Sequence, residues 1–250
     1  MRFLNRMLCF LVITLLITGC SSQPPTNKFD NSYRIARDRE WTSLDLYGKE
    51  MYVLAFSDEL LTLIADEEKM SLELIKTNWD FLIQGLEQGN FSAIVTSQEP
   101  VGRYADQLVF SEVFLQLGSV LVVAQDSNAT DIAQMQGKIV TIPQGQEGVT
   151  FSNDYPDLIT YSYLSIPEAL QDVYIGKADG AMIPSIIAFS YCRDIYHGSL
   201  KVVTKPMDSL GLRLVAMKKN KFIIDQFNSG LTSLEKSGMY QDLLTKWKLN

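Results

Sequence analysis

Histidine and cysteine are nearly absent from this chain. His197 is the single histidine, and the three cysteines are Cys9, Cys20 and Cys192. One imidazole, set between Tyr196 and Gly198 in an expected turn with no second ligand type beside it, builds neither a zinc site nor a histidine-based triad. A nucleophile elbow, a phosphate-cradling P-loop and a glycine-rich dinucleotide fingerprint are missing as well. So is a basic excess. With 22 Lys and Arg against 29 Asp and Glu, the net charge of −7 repels nucleic acid and anionic lipid surfaces. No internal repeat or low-complexity segment breaks the chain. These absences set aside metal, cofactor and nucleic-acid chemistry and leave binding as the expected work.

The apolar run Leu8 to Thr18 is too short to span a bilayer as a stable helix. Preceded by Arg2 and Arg6, it has the charge-then-apolar order of a secretory signal peptide. Ile17-Thr18-Gly19-Cys20 resembles a bacterial lipobox, which implies cleavage before Cys20 and lipid attachment to its thiol. Residues 1–19 are then a lipoprotein signal peptide. Residues 20–30 are the lipidated cysteine and a flexible spacer, whose SSQPPTN stretch (Ser21 to Asn27) lets a folded part stand off the membrane. Losing Arg2 and Arg6 leaves 20 basic against 29 acidic residues, a net charge of −9. Only Cys192 then remains, so no disulfide framework is possible, and its place in the apolar stretch Ile186 to Cys192 reads as core.

The rest is organised around Asn78 to Val123. Trp79, Leu82, Ile83 and Leu86 fall at helical spacing and stop at Gly89-Asn90, Phe91 to Val95 reads as a buried strand, and Thr96 to Arg103 is a polar loop beyond its carboxyl end. Ligands sit beyond such strand ends in open α/β sheets. Earlier, Tyr33 to Arg37 reads as a strand, Met51 to Phe56 as a second short strand, Asp58 to Asp66 as a helix and Leu72 to Ile75 as a strand. Later come an apolar passage from Phe114 to Val123, a turn of helix at Asp131 to Gly137, a strand at Lys138 to Ile142 and a glycine-bearing loop before a helix at Val149. Ser165-Ile166-Pro167-Glu168 combines a cap, a first-turn proline and a capping-box acid, opening a helix to Tyr174. Strands at Ala178 to Ile183, Val202-Val203 and Leu212 to Met217 and helices at Phe222 to Lys236 and Tyr240 to Trp247 complete the chain. Alternating helices and strands imply a parallel sheet covered by helices.

A small zwitterion needs a cationic partner, an acid for its ammonium group and flat surfaces against its body. Arg103 offers a bidentate fork for a carboxylate. Trp41 and Trp79 stand beside strand ends as candidate walls. Asp38, Glu99 and Glu147 are loop acids suited to an ammonium, and the loop Pro143 to Gly148, which holds Gln146, leads into a helix start that attracts an anion.

In their order and spacing these segments resemble the bacterial extracytoplasmic solute-binding proteins of the polar amino acid uptake family (family 3), receptors of ABC transporters. The matching pieces are Asp38-x-x-Trp41; Trp79-Asp80 with Leu82, Ile83, Leu86 and Gly89; Arg103 followed by Phe110-Ser111; Gly137-Lys138; Gly176-Lys177-Ala178-Asp179; and Ser237-Gly238 with Lys246-Trp247. The resemblance runs from about Tyr33 to Trp247. It implies an α/β, two-lobed periplasmic-binding-protein fold (type II) with two hinge crossings and a ligand cleft between the lobes. Lobe 1 would comprise residues 31–113 plus 212–250, lobe 2 residues 119–206, and the hinges residues 114–118 and 207–211. Implied with the fold is a monomeric receptor on the extracytoplasmic side, anchored through Cys20, that binds an amino acid-like ligand and delivers it to ABC permease subunits. It needs no metal or cofactor and performs no catalysis.

The departures from the family pattern concern the ligand. Glu99 stands where members that bind α-amino acids have Ser or Thr, Arg103 falls one residue early, Gln146 replaces a Ser or Thr after Gly145, and Pro184 aligns with the Asp that pairs with the ligand ammonium. Two readings stay open at this point. Either Glu99 or Glu147 takes over the cation, or ordinary amino acid binding has been lost and the fold serves another role. The rivals are a cyclohexadienyl-dehydratase-like enzyme with one of those acids as general acid, and a sensing module without transport.

Overall fold

The structure, a computed structural model, describes residues 32–39, 41, 46–97 and 105–250. The leader, the spacer, Cys20, Glu99 and Arg103 lie outside these residues. Among the described residues no helix is long and apolar enough to cross a membrane.

Eleven described strands form two sheets. The first has the order β2-β1-β3-β11-β4. Its central part is parallel: β1 (Ser32–Asp38) lies between β2 (Ser71–Thr77) and β3 (Ala93–Thr96). Helix α1 (Glu50–Glu67) makes the crossover from β1 to β2, and α2 (Trp79–Glu87) that from β2 to β3. Strand β4 (Leu108–Phe110) does not pair with β3. The late strand β11 (Gly211–Met217) enters between them, antiparallel to both, so the first sheet is completed by residues from far along the chain. Helices α6 (Lys221–Ser237) and α7 (Met239–Lys246) follow it back over the same sheet.

The second sheet has the order β10-β6-β9-β7-β8. Its strands are β6 (Ser119–Ala124), β7 (Ile139–Ile142), β8 (Ile159–Ser162), β9 (Gly180–Pro184) and β10 (Leu200–Val202). Helix α3 (Gln146–Asp154) links β7 to β8, and α4 (Ile166–Tyr174) links β8 to β9. Helix α4 begins as its sequence demands, with the Ser165 hydroxyl accepting from the Glu168 amide at 3.4 Å and proline in the first turn.

Two local expectations are corrected, and two apolar stretches gain their internal structure. Met51 to Phe56 is not a strand but the opening of α1, because Val53, Phe56, Ser57, Leu60, Leu61 and Ile64 form one continuous buried stripe at helical spacing. Tertiary burial of that stripe overrides the strand preference of a short aromatic and β-branched piece. The second-sheet helix starts at Gln146 rather than Val149, directly after Gly145 at φ 88°. The apolar passage Phe114 to Val123 is cut by Leu117-Gly118 into a short β5 (Leu115–Gln116) and β6. Finally, the stretch holding Cys192 is α5 (Ser185–Ser190) continued by a π-helical turn at Tyr191–Ile195. Cys192 is buried there, as its surroundings implied, and burial pushes its thiol up to about 11. His197 is exposed in the following turn.

A buried ion pair locks α1 to the first sheet. Arg37 on β1 is 3% exposed and grips Asp58 of α1 bidentately, with Nε–Oδ1 and Nη2–Oδ2 both 2.6 Å. Truncating one partner strands the other charge away from water. Asp58→Ala is therefore expected to cost about 3–5 kcal/mol in urea unfolding, whereas Asp58→Asn, which keeps an acceptor, should cost less.

Candidate functional site

The two sheets are joined by two chain crossings that pair with each other. Strand β5 lies antiparallel to the start of β11, with Gln116 opposite Gly211 and Leu115 opposite Leu212. Just beyond, the amides of Leu117 and Gly118 both donate to the Leu210 carbonyl, at 2.9 and 3.1 Å, and Met207 N–H donates to the Ser119 carbonyl at 2.9 Å. Asp208 fastens the ribbon: one carboxylate oxygen accepts from Ser119 N–H at 3.0 Å and the other from Leu210 N–H at 2.8 Å. Gly118 is required for this approach, since a Cβ there would sit 2.4 Å from Asp208 Oδ1.

A cleft of about 470 Å³ opens beside the ribbon. Ser97 and Arg213 reach it from the first sheet, Asp208 and Leu210 from the crossing, and Glu147 and Phe151 from the second sheet. Ser119 transmits the crossing's geometry into it. Its backbone is held by Asp208, its side chain is buried, and its hydroxyl donates to Glu147 Oε1 at 2.7 Å. One oxygen of the exposed Glu147 carboxylate is thus held by a fixed donor.

Helix α3 shapes the second-sheet wall. Its first turn is pressed onto the end of β7 so closely that a Cβ on Gly148 would meet the Pro143 carbonyl oxygen at 2.0 Å. With the helix start fixed, Glu147, Thr150, Phe151, Asp154 and Tyr155 follow at i, i+3, i+4, i+7 and i+8 and all face the cleft. The Phe151 and Tyr155 rings lie 4.9 Å apart, giving that face an aromatic centre between two carboxylates. Gln146 lines the same cleft and donates from Nε2 to Thr150 Oγ1 at 3.4 Å. Behind this wall Tyr163 donates its hydroxyl proton to the Met182 carbonyl at 3.2 Å, and burial raises its pKa, with smaller contributions from Tyr47 and Glu147.

The residues expected at the site are thus divided. Glu147 and Gln146 line the cleft, whereas Asp38, Trp41 and Trp79 do not. Asp38 is buried at the end of β1, and its Oδ1 accepts from the Trp41 amide at 3.0 Å. Trp41, at φ 49°, is 1% exposed and belongs to the largest core cluster, so its ring offers no open wall in this arrangement. Trp79 is half-buried and packs on the first-sheet cluster of Ala36, Leu82, Leu86 and Ile94. The aromatic surface comes instead from Phe151 and Tyr155. A cation unforeseen from the sequence also enters the cleft: Arg213 of β11, opposite Thr96, whose Nη2 donates to the Ser209 carbonyl at 3.1 Å. The available signal was a lone charge within the otherwise apolar GLRLVAM strand.

The family whose model matches residues 37–250 is described as bacterial extracellular solute-binding proteins, family 3. Among curated proteins, the chain is 25% identical over 222 residues to the arginine-binding periplasmic protein of Mannheimia haemolytica, covering 85% of this chain and 90% of that one. It is 19% identical over 247 residues to the histidine-binding periplasmic protein of Salmonella typhimurium, with 95% of each chain covered. Among solved structures it resembles the L-cystine solute receptor of Neisseria gonorrhoeae in its unliganded open conformation, at a TM-score of 0.67 and 18% identity over 86% of this chain and 92% of the other. A polar amino acid ABC uptake transporter substrate-binding protein from Streptococcus thermophilus gives 0.66 and 21%, over 88% and 86%. The two α/β sheets match the two-lobed periplasmic-binding-protein fold of these neighbours.

Because Asp208 and Gly118 are in such close contact, Gly118→Ala should force them apart. The expected cost is about 1–3 kcal/mol in urea unfolding, with faster hydrogen exchange at the Ser119 amide.

Proposed function

Since this chain belongs to the bacterial extracellular solute-binding proteins of family 3, we propose that it is a membrane-anchored receptor for an amino acid or a related small polar solute, which it delivers to the permease subunits of an ABC importer. The observation that carries this reading is a cleft lined from both sheets and from the hydrogen-bonded ribbon joining them. We take residues 31–113 plus 212–250 as lobe 1, 119–206 as lobe 2, and 114–118 with 207–211 as hinges. Each lobe supplies one wall, so a solute between them interacts fully only when both walls are near. That difference in contact lets a solute shift an open–closed equilibrium for a membrane partner to read.

Within the cleft, Glu147 is the acceptor for the cationic end of the solute and Arg213 faces its anionic end. Phe151 and Tyr155 take the intervening body. Gln146, which lines the same cleft, and Glu99 and Arg103, which lie outside the described residues, are the further ligand contacts of this proposal. Asp38 and Trp41 support the turn after β1, and Trp79 supports the first-sheet core. A solute held by pairing and packing needs no reacting group, and the protein works as a monomeric binder without catalysis.

The test is thermal unfolding against a panel headed by L-arginine, L-histidine and L-cystine, the solutes for which relatives are named. Saturable stabilisation with micromolar or tighter affinity is expected from at least one amino acid-like solute, and a flat response across the panel would falsify the reading. Glu147→Gln should weaken that binding about 10-fold or more while leaving the solute-free melting temperature nearly unchanged, because the amide still accepts the Ser119 hydroxyl.

Membrane attachment is assigned to lipid on Cys20. Cys20→Ser is expected to move the protein from the membrane to the soluble fraction in cell fractionation.

A further inference from the structure

The ribbon is not the only connection between the two sheets. Arg193, in the π-helical turn that extends α5 on the second-sheet side, donates from Nη1 to the carbonyl oxygen of Asn250 at 2.5 Å. Asn250 belongs to the first-sheet side and is firmly held there. Lys246 Nζ and Trp247 Nε1 both bond Glu59 on α1, at 2.6 and 2.8 Å. Beyond them Lys248 turns the chain at φ 54°, Leu249 is buried and donates its amide to the Leu244 carbonyl at 3.0 Å, and Asn250 Nδ2 donates to Thr245 Oγ1 at 2.8 Å. Residues 246–250 thus form a hook on α1 and α7 whose tip meets the other side.

The opposing partner is equally prepared. Arg193 is aligned by Asp194, with Nε–Oδ1 2.8 Å and Nη2–Oδ2 3.2 Å, which leaves Nη1 for Asn250. Lys49, just before α1, is partly buried, which lowers its pKa, and it feels both the Asp194 carboxylate and the like charge of Arg193. The Arg193 and Asp194 side chains are 42% and 50% exposed, a solvated setting in which such a contact shifts an equilibrium by a modest factor. A tie of that strength restrains without locking. The single π-helical turn, a geometry often retained for a local purpose, carries the arginine that makes it.

We propose that the residue 246–250 hook and Arg193 form a detachable strap between the lobes, joined in the arrangement described here, so that it favours this arrangement over one with the lobes farther apart. Its consequence for solute affinity rests on the reading of the cleft given above; its consequence for lobe separation does not. The strap lies outside the cleft, so it tunes retention without touching the solute.

The experiment is a spin-label distance measurement in the chain carrying Cys20→Ser, with labels at Glu87→Cys on α2 and Asp157→Cys before β8, and with buried Cys192 left in place. Without any solute, Arg193→Ala should shift the distance distribution toward longer values, and so should deletion of Asn250, which withdraws the main-chain acceptor by one residue. Arg193→Lys, retaining one donor, should fall between. For the panel member that binds, Arg193→Ala should weaken affinity roughly 2- to 10-fold, mainly through faster release. A distance distribution unchanged in both Arg193→Ala and the Asn250 deletion, with melting temperature preserved, overturns the strap. Longer distances in a protein that binds no panel member uphold the strap and count only against the reading of the cleft.

Discussion

Everything in this molecule that concerns binding hangs on the clasp between the two crossings. Asp208 spends both carboxylate oxygens on backbone amides, one from each passage of the chain, and Gly118 gives it room to do so. Two extended segments that would otherwise expose unpaired backbone groups become a short hydrogen-bonded ribbon. From that clasp one bond leads to Ser119 and the next to Glu147. A change in the ribbon is therefore felt at a carboxylate in the cleft.

The clasp depends in turn on a topological feature. The chain leaves the first sheet after β4, builds the second sheet, and returns as β11 between β3 and β4. Because β11 completes the first sheet's hydrogen bonding, the second sheet cannot form a free-standing appendage. It is an insertion held at both ends, and both ends pass through the same place. This is the physical origin of a cleft with one wall from each sheet. The same return brings Arg213 to a position opposite Thr96, at the edge where Ser97 begins the polar loop. The Arg193 bond to Asn250 adds a polar contact between the two sides, which also share one buried apolar cluster.

How much of this was legible in the residues depends on the range of the interaction that decided each feature. Helix α4 was readable to its ends because Ser165, Pro167 and Glu168 fix its first turn locally. Strand β7 was readable because its burial leaves the short apolar run Ile139 to Ile142, and β1 and β2 because apolar residues recur in them beside charged ones. Met51 to Phe56 misled because its strand-like composition is local, whereas the helical stripe it belongs to continues to Ile64 and is buried only by tertiary packing. Strand β8 went unread because its exposed and half-buried residues leave little contrast between its faces. At the site, Glu147 was found by its place in a loop after a strand. Trp41 was singled out for the same reason, but it is a core residue, and its burial could not be read from the polar residues around it.

The amino-acid sequence by itself determined the class of protein: an acidic α/β chain, poor in catalytic side chains, with motifs in the order of a family-3 solute-binding protein. These follow from composition and from short-range periodicity, which the chain carries whether folded or not. Tertiary structure alone decided which side chains share the cleft. Ser97, Glu147 and Arg213 come from three distant stretches, and only the return of β11 and the seating of α3 on the end of β7 bring them around one space. Proximity between residues so far apart in sequence is created by strand pairing and close packing, and no local pattern records it.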